Sequence, residues 1–528
     1  MTEAHALHAP CTMGDLLLRA LARGGDAAAF VERRPDATRG DRTASYAETA
    51  ARLSRLIQAL EARGFARGDV IACLGANSLD SWLVIAAGWL MGIRTTNLHP
   101  MGSAEDHAFI IRDCGAKALV YDPARHADRG RAMIAQGVPA LALGPSADAP
   151  DIVAEAAERE ARPLVSAARA ADPAWTVYTG GTTGKPKGVL HTHRSLVTMT
   201  LTELAEWEWP ARIVFLACTP ISHASGPCIL PTLLRGGTVV LEDGFAPDRF
   251  FDTVRAHGVT ATFLVPTMIY KLLDHAAAHP VGRTPLETVI YGGAPIAPAR
   301  LTEALAAFGP VFMQLYGQSE APNTISVLRK ADHDPVRLPG RMTSCGQPVG
   351  DSRVALLDPE GREVAAGEIG EICVQGPLVM EEYLGRPDET AKAFAHGWLH
   401  TGDLARADAD GFLHIVGRAK DMIITGGFNI YPAEVEDALT AHPAVAAAAV
   451  IGLPHATWGE AVTAVVVLRP GAQATAEELT ALVRQAKGPV AAPKRVDFAE
   501  SLPVTSLGKP DKKALRDAYA AAGLEATA

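Results

Sequence analysis

The chain has 528 residues, of which 48% are apolar and 20% are charged, and its formal net charge is -10. This length allows two or three globular domains, and this composition excludes an intrinsically disordered protein. The acidic balance, without any block rich in lysine and arginine, argues against a nucleic-acid partner.

Three further patterns bear on location. The seven cysteines are dispersed and form no Cys-x-x-Cys pair, which is typical of a reduced protein without a zinc site. The first residues lack the basic and apolar regions of a secretory signal peptide. The longest apolar run, 82–93, is too short to span a bilayer and predicts a buried helix. We therefore expect a cytoplasmic protein without stable membrane insertion. Its oligomeric state is open, with a homodimer as one candidate.

Helix and strand patterns alternate along the first two thirds of the chain. Ser45 and Glu48 form a capping box ahead of a helical apolar pattern. Short apolar runs predict strands at 70–74, 118–121, 175–178, 214–217, 238–241, 260–264, 289–291 and 312–316. This alternation predicts an α/β fold with open sheets covered by helices on both faces.

The rest of the chain has a different pattern. Helical patterns are scarce from 354 to 414, which predicts a β-rich subdomain. After the polar segment 417–421, helices beginning at Pro432 and after Thr475, with strands at 444–451 and 462–468, predict a small α+β module. We therefore expect a large N-terminal domain over 1–418 and a small C-terminal domain over 419–528.

One segment has a composition suited to phosphate binding. Residues 178–188 read Tyr-Thr-Gly-Gly-Thr-Thr-Gly-Lys-Pro-Lys-Gly. Glycines let backbone N–H groups approach an anion, and the threonines and lysines add donors and charge. The segment alone leaves a flexible surface loop as the alternative. It is not a Walker P-loop, because Thr179 stands where that motif needs its first glycine and Pro186 follows Lys185.

The segment resembles the phosphate-binding motif of the adenylate-forming superfamily, which includes acyl-CoA synthetases, peptide-synthetase adenylation domains and firefly-type luciferases. The family pattern is Thr-Ser-Gly-Thr-Thr-Gly-x-Pro-Lys-Gly, and this chain departs from it once, with Gly180 in place of Ser. Further matches follow in the family's order: Gly-Ala-Pro at 293–295, Tyr-Gly-Gln-Ser-Glu at 316–320, Thr-Gly-Asp at 401–403 and Gly-Lys at 508–509. Each is weak or moderate alone, but their order is specific, and the resemblance covers almost the whole chain.

The resemblance implies ATP, Mg²⁺ and coenzyme A as ligands. Tyr316 would stack on adenine, Asp403 and Arg418 would bind the ribose, and Ser319, where the family has Thr, would contact phosphate. Glu320 would be the metal ligand, since oxygen ligands suit Mg²⁺. The implied nucleotide- and CoA-binding residues are Thr179, Gly180, Gly181, Thr182, Thr183, Gly184, Lys187, Gly293, Ala294, Pro295, Gln314, Tyr316, Gly317, Ser319, Asp403, Arg418, Gly426, Gly427 and Lys509.

The resemblance also implies the catalytic residues, which are Lys509, Glu320, Thr183 and His223. Lys509, on a mobile C-terminal domain, would bridge the attacking carboxylate and the α-phosphate. His223 would border the carboxylate pocket, although a lone histidine is more often structural. Lys420 would be the hinge about which the domain turns, and the loop at Gly426 and Gly427 would line the pantetheine channel.

The acyl pocket is expected to be apolar. Its implied lining is His223, Ser225, Gly226, Cys228, Val265, Tyr291, Gly292, Gly293 and Leu315, and it includes no lysine or arginine. A second carboxylate on the substrate would be buried there without a partner. The glycines at 226, 292 and 293 suggest room for a long or bulky acyl group.

Together these features predict an ATP-dependent acid–CoA ligase that activates an apolar monocarboxylic acid, fatty, aryl or alicyclic, as acyl-AMP. Two alternatives stay open at this point. One is an acyl-AMP ligase that loads a separate carrier protein. The other is a non-catalytic nucleotide-binding protein on the same fold, against which the presence of Lys509, Glu320 and Asp403 argues.

Overall fold

The computed structural model describes residues 11–34, 40–179, 186–455, 457–504 and 510–522. Within these ranges the α-helices are α1 (Met13–Gly24), α2 (Tyr46–Ala62), α3 (Leu79–Met91), α4 (Ala104–Asp113), α5 (Pro123–Ile134), α6 (Ile152–Ala157), α7 (His193–Glu206), α8 (Gly226–Leu234), α9 (Pro247–His257), α10 (Pro266–Ala278), α11 (Pro298–Phe308), α12 (Pro387–Ala393), α13 (Pro432–Thr440), α14 (Ala476–Lys487) and α15 (Lys512–Ala521). Short 3₁₀ helices lie at Lys330–Asp332, Pro339–Thr343, Ala395–Gly397 and Ala419–Asp421.

Local sequence signals explain where several helices begin and end. The capping box is present, since the side chains of Ser45 and Glu48 each accept the backbone N–H of the other residue. Helix α2 begins directly after Ser45, at Tyr46. Helix α3 is buried on nearly all sides and ends at Gly92, which takes the left-handed conformation with φ of +69°. The predicted buried helix is thus confirmed. Among the described residues, no helix combines the length and apolar content needed to cross a bilayer.

The first large sheet has seven strands in the order β18-β8-β7-β4-β3-β5-β6. Its strands are β3 (Val70–Leu74), β4 (Arg94–Asn97), β5 (Ala118–Tyr121), β6 (Ala140–Ala142), β7 (Pro173–Thr179), β8 (Lys187–Thr192) and β18 (Glu382–Tyr383). Strands β3 to β7 run parallel, whereas β8 returns antiparallel to β7. The two strands that flank the predicted phosphate segment therefore form an antiparallel pair.

The second large sheet has nine strands in the order β15-β14-β13-β12-β11-β9-β10-β1-β2. Its strands are β1 (Ala28–Glu32), β2 (Arg42–Ser45), β9 (Val214–Ala217), β10 (Thr238–Leu241), β11 (Ala261–Leu264), β12 (Thr288–Tyr291), β13 (Phe312–Gln318), β14 (Ala321–Leu328) and β15 (Gln347–Pro348). The neighbours from β1 to β13 pair in parallel. The carboxyl ends of β12 and β13 therefore meet at one edge of the sheet, where sites in α/β folds usually lie.

Two smaller sheets follow. The four-stranded antiparallel sheet has the order β16-β17-β19-β20, with β16 (Arg353–Leu357), β17 (Gly370–Gln375), β19 (Leu399–Ala407) and β20 (Leu413–Arg418), and it is the predicted β-rich subdomain. The last sheet contains β21 (Ile423–Thr425), β22 (Phe428–Ile430), β23 (Val445–His455), β24 (Gly459–Leu468) and β25 (Arg495–Phe498). The chain passes from one sheet to the other through the 3₁₀ turn Ala419–Asp421.

The largest buried cluster draws side chains from both large sheets, including Ile71 and Val177 from one and Phe215 and Ile290 from the other. A second cluster covers the opposite face of the nine-stranded sheet beneath α9, α10 and α11. Apolar burial on both faces is the main stabilising contribution to such sheets. The predicted α/β class is confirmed, with a large N-terminal part and a smaller C-terminal part.

Candidate active site

Three residues predicted to bind the nucleoside form one hydrogen-bonded cluster. Tyr316 lies on β13, and its hydroxyl donates to Oδ2 of Asp403 at 2.7 Å. Arg418 lies opposite Asp403 across the β19–β20 ladder, and its Nε is 2.7 Å from Oδ1. Burial and the neighbouring carboxylate raise the pKa of Tyr316, so this phenol stays a neutral donor. The cluster joins the four-stranded sheet to the carboxyl end of the nine-stranded sheet.

Glu320 lies in the turn between β13 and β14. The Tyr383 hydroxyl donates to its Oε1 at 2.7 Å, and the Nζ of Lys187 lies 5.2 Å from the centroid of the Tyr383 ring. Lys187 also pairs with Glu389. Burial and the Glu320 carboxylate raise the pKa of Tyr383. The predicted metal ligand and the last lysine of the phosphate segment are thus brought together through a tyrosine.

The two ends of the phosphate segment face each other, since Thr179 pairs with Lys187 across the hairpin. Gly188 allows close packing here, because a Cβ at that position would lie 2.9 Å from the Tyr178 ring. Several predicted site residues lie outside the described residues: Gly180, Gly181, Thr182, Thr183, Gly184 and Lys509.

His191 and Tyr383 support the site, and no motif in the sequence predicted either of them. The buried His191 donates through Nε2 to the carbonyl oxygen of Ser319 at 2.7 Å, while its Nδ1 accepts from the Ser195 hydroxyl at 3.1 Å. Burial lowers the pKa of His191 to about 4, so the ring is neutral at pH 7 and its tautomer is set by these contacts. No local pattern distinguishes either residue, because both act across the fold.

The predicted adenine-side residues lie after β12 and on β13. Gly293 has φ of +79°, and Gly293, Ala294 and Pro295 are exposed or partly exposed at the sheet edge. Gln314 lies one strand away, and its Oε1 accepts from the Tyr291 hydroxyl at 3.0 Å. The Tyr291 hydroxyl therefore holds the Gln314 side chain at the sheet edge, close to the beginning of the Tyr316 motif.

Tyr291 was expected to line the acyl pocket together with Leu315, and the structure separates the two side chains. Tyr291 is fully buried in the cluster beneath α9 to α11, and its hydroxyl also lies 2.9 Å from Nε2 of His333. Leu315 packs into the cluster on the other face of the sheet. Tyr291 pairs with Gln314 on β13, and Leu315 is the next residue of that strand. Because successive strand residues point to opposite faces, the placement of Tyr291 in this pocket is wrong.

Two of the three glycines thought to leave room for an acyl group leave none. A Cβ on Gly226 would overlap the carbonyl oxygen of Ile221, and a Cβ on Gly292 would lie 2.7 Å from Leu315. At both positions the direction that a side chain would take is filled, so the interpretation that these glycines leave room there is wrong. Gly293 does face space, since a Cβ there would meet only Val265, at 4.0 Å.

His223 is partly buried against a second histidine. Its ring centroid lies 4.9 Å from that of His99, and its Nδ1 is 2.9 Å from the Ser222 hydroxyl. Burial, and then the neighbouring His99, lowers its pKa to about 3, so His223 is neutral at pH 7. Two other predicted pocket residues are fully buried: Ser225, bonded to Thr219 at 2.5 Å, and Cys228 in α8.

The hairpin predicted to serve coenzyme A turns at Gly426 and Gly427, with φ of +57° and +83°. Positive φ at both central residues is typical of a tight hairpin turn. The side chains around the turn are exposed: Ile424 by 52%, Phe428 by 60% and Trp458 by 42%. Lys420, the predicted hinge, lies in the preceding 3₁₀ turn, whose Asp421 pairs with Arg516 at 2.5 Å.

A buried carboxyl lies behind the Tyr316 motif. Glu203 of α7 is fully buried, and the Asn323 amide donates to its Oε1 at 2.8 Å. Asn323 has φ of +61°, and its backbone occupies the space where a Cβ of Gly317 would be. Burial raises the pKa of Glu203 from 4.5 to about 8, so the carboxyl is neutral at pH 7.

Glu203 should make stability depend on pH. The folded protein holds this proton more tightly, so the stabilisation is complete below pH 4.5 and is lost as pH rises towards about 8. Glu203→Gln removes this loss. The difference in free energy of unfolding, variant minus wild type, should therefore increase by a few kcal/mol from about pH 5 to about pH 9, since one pKa unit is about 1.4 kcal/mol. Urea unfolding of both proteins across this range measures it, and parallel curves would contradict it.

The chain is similar in sequence to proteins of a known family. The family model "AMP-binding enzyme" matches residues 17–384, and "AMP-binding enzyme C-terminal domain" matches residues 434–509. The medium/long-chain-fatty-acid–CoA ligase FadD8 of Mycobacterium tuberculosis is 48% identical over 527 residues, covering 97% of this chain and 90% of the relative. A feruloyl-CoA synthase of an Amycolatopsis species is 38% identical over 475 residues, covering 89% of this chain and 93% of the relative.

The chain is also similar to solved structures. The amide bond synthetase McbA from Marinactinospora thermotolerans matches with a TM-score of 0.87 and 32% identity, covering 96% of this chain and 99% of that one. The family models, the relatives and the shared fold lead to one conclusion: the chain belongs to the AMP-binding, adenylate-forming enzymes.

Proposed function

We propose that the chain is an ATP-dependent acid–CoA ligase that forms an acyl-AMP and then an acyl-CoA. The observation that carries this proposal is the Tyr316–Asp403–Arg418 cluster. Separate motifs supply an aromatic residue and a guanidinium that each lie within hydrogen-bond distance of one carboxylate, that of Asp403. An aromatic face and a carboxylate suit the adenine and the two ribose hydroxyls of ATP.

In the first half-reaction a carboxylate oxygen attacks the α-phosphorus of ATP and pyrophosphate leaves. We assign Lys509 to the charge that develops at the α-phosphate and the 179–188 segment to the phosphates. Glu320 fits Mg²⁺, because it offers a partly exposed carboxylate as an oxygen ligand, and the ion would neutralise phosphate charge when bound. The contribution of the chain is mainly positioning and electrostatics.

In the second half-reaction the thiol of coenzyme A attacks the acyl carbonyl carbon, the bond from that carbon to the phosphate oxygen breaks, and AMP leaves. We assign the hairpin at Gly426 and Gly427 to the pantetheine arm. The exposed apolar side chains Ile424 and Phe428 of this hairpin, and Trp458 of the neighbouring turn, support a docking role. Rotation about Lys420 would bring this hairpin in and take Lys509 out.

The proposed acyl substrate is an apolar monocarboxylic acid. The predicted pocket residues that stay on the Leu315 side of the sheet, Val265 and Cys228, are apolar, and His223 is neutral at pH 7. A second carboxylate would find no cation among these side chains. The similarity to a medium/long-chain-fatty-acid–CoA ligase supports an aliphatic acid, and that to a feruloyl-CoA synthase keeps an aryl acid in view.

The test is pyrophosphate release from ATP and Mg²⁺ with a panel of fatty, aryl, alicyclic and dicarboxylic acids, each with and without coenzyme A. We expect release that depends on a monocarboxylic acid and turns over fully only with coenzyme A. Release that stalls at about one equivalent with coenzyme A, and resumes with an acyl carrier protein, would favour the carrier-loading alternative. Dicarboxylates as the best substrates would overturn the pocket assignment. The cytoplasmic location and the homodimer stay predictions.

A further inference from the structure

The Thr-Gly-Asp segment that carries Asp403 lies on a bulge of β19. Glu371 of β17 pairs with Leu404, and Cys373 pairs with His400, so β19 carries two more residues than β17 over this stretch. A bulge removes backbone groups from the ladder and re-aims the side chains on it. At its centre is Gly402, with φ of +73°.

The side chain of Glu371 supports this bulge. Its Oε1 accepts the backbone N–H of Gly402 at 2.7 Å, which supplies a partner for a donor that the ladder no longer pairs. Thr401 completes the bulge, since its hydroxyl donates to the carbonyl oxygen of Ile372 at 2.7 Å and accepts the N–H of Asp403 at 3.1 Å. The backbone of Asp403 is therefore held from β17, while Tyr316 and Arg418 hold its carboxylate.

His400 fixes Glu371 in turn. Its Nδ1 lies 2.7 Å from Oε2 of Glu371, and its Nε2 lies 3.1 Å from the carbonyl oxygen of Ala395. Each ring nitrogen of His400 therefore has an oxygen partner, and the contact with Glu371 is partly buried. The Sγ of Cys373 is a third possible metal ligand near these atoms. Both nitrogens of His400 and both oxygens of Glu371, however, already have hydrogen-bond partners. This arrangement is a complete hydrogen-bond network and not an open set of metal ligands.

We propose that Glu371, supported by His400, is a positioning residue for ATP: it holds the 401–403 bulge so that the Asp403 carboxylate faces the ribose. This inference rests on the proposed role of Asp403 in binding the ribose hydroxyls. Glu371 touches neither the nucleotide nor the reacting atoms in this scheme. Its effect should therefore appear specifically in the recognition of the ribose.

The test is direct binding of ATP and 2′-deoxy-ATP by calorimetry, with wild type, Glu371→Ala and Glu371→Gln. Wild type should prefer ATP. Glu371→Ala should weaken ATP binding by about tenfold while changing 2′-deoxy-ATP much less, because a misplaced Asp403 cannot exploit the 2′-hydroxyl. Glu371→Gln keeps an oxygen acceptor for Gly402 and should retain most of the preference. Circular dichroism confirms that each variant is folded.

His400→Ala is the second variant, in case Glu371→Ala does not fold. It leaves the Glu371–Gly402 bond but removes its support, so the preference for ATP should fall in the same direction by a smaller factor. Equal weakening of both nucleotides in these variants, or no change in either, overturns the positioning role. A wild type that binds neither nucleotide overturns the proposed function itself, and this inference with it.

Discussion

Replacing Asp403 by alanine is expected to lower kcat/KM for ATP by about 10²- to 10³-fold, with little change in KM for the acid. The carboxylate would no longer accept the ribose hydroxyls. The change also leaves the buried Tyr316 hydroxyl and the Arg418 guanidinium without their shared partner. Steady-state pyrophosphate release at varied ATP measures the effect.

The matched control is Asp403→Asn, which keeps the size of the side chain and one oxygen acceptor. We expect it to lie between wild type and Asp403→Ala. Thermal melts separate lost binding from lost folding. If Asp403→Ala keeps kcat/KM for ATP within about twofold of wild type, the ribose role of this carboxylate is wrong.

Lys509→Ala is expected to lower the rate of acyl-AMP formation by about 10³-fold and to leave thioester formation from supplied acyl-AMP nearly unchanged. The reason is that the pentacoordinate α-phosphate, at which Lys509 is assigned to act, forms only in the first half-reaction. Lysine presents a compact point charge there, which no neutral side chain replaces. Single-turnover assays of the two half-reactions measure the split.

Lys512→Ala is the matched control for this variant. It removes a lysine three positions away, whose Nζ pairs with Oε1 of Glu436 at 2.7 Å. We expect both half-reactions to stay within about twofold of wild type, because Lys512 pairs with Glu436 inside the C-terminal part and has no assigned role in either half-reaction. Equal losses in both half-reactions for Lys509→Ala would contradict its assignment to adenylation alone.

Much of the fold could be predicted from local patterns. Strands at Ala118–Tyr121, Val214–Ala217 and Thr238–Leu241 have the predicted bounds, because a short buried parallel strand is an uninterrupted apolar run. Strand β8 was missed, since Lys187–Thr192 contains histidine, threonine and glycine among its apolar residues. Its strand conformation depends on pairing with β7 and β18, which no local pattern reveals.

The residues of the candidate site could be predicted only where they belong to sequence motifs. Tyr316, Asp403 and Arg418 were predicted to share one ligand, and they do lie together. Tyr383 and His191 were not found, because each acts on a segment more than 60 residues away in sequence. The prediction of the acyl pocket was wrong for Tyr291 and for the room expected at Gly226, because strand faces and close backbone contacts depend on packing. Residue type alone does not tell a glycine that opens space from one that lets two segments touch.

The most direct test of the two-step mechanism is to follow oxygen from the acid. An acid labelled with ¹⁸O in both carboxylate oxygens is incubated with ATP, Mg²⁺, coenzyme A and the enzyme, and the products are analysed by mass spectrometry. If the carboxylate attacks the α-phosphorus and the thiol then breaks the carbonyl–oxygen bond, AMP must carry one ¹⁸O atom for each acyl-CoA formed. Unlabelled AMP, or ADP as the nucleotide product, would contradict an acyl-AMP intermediate.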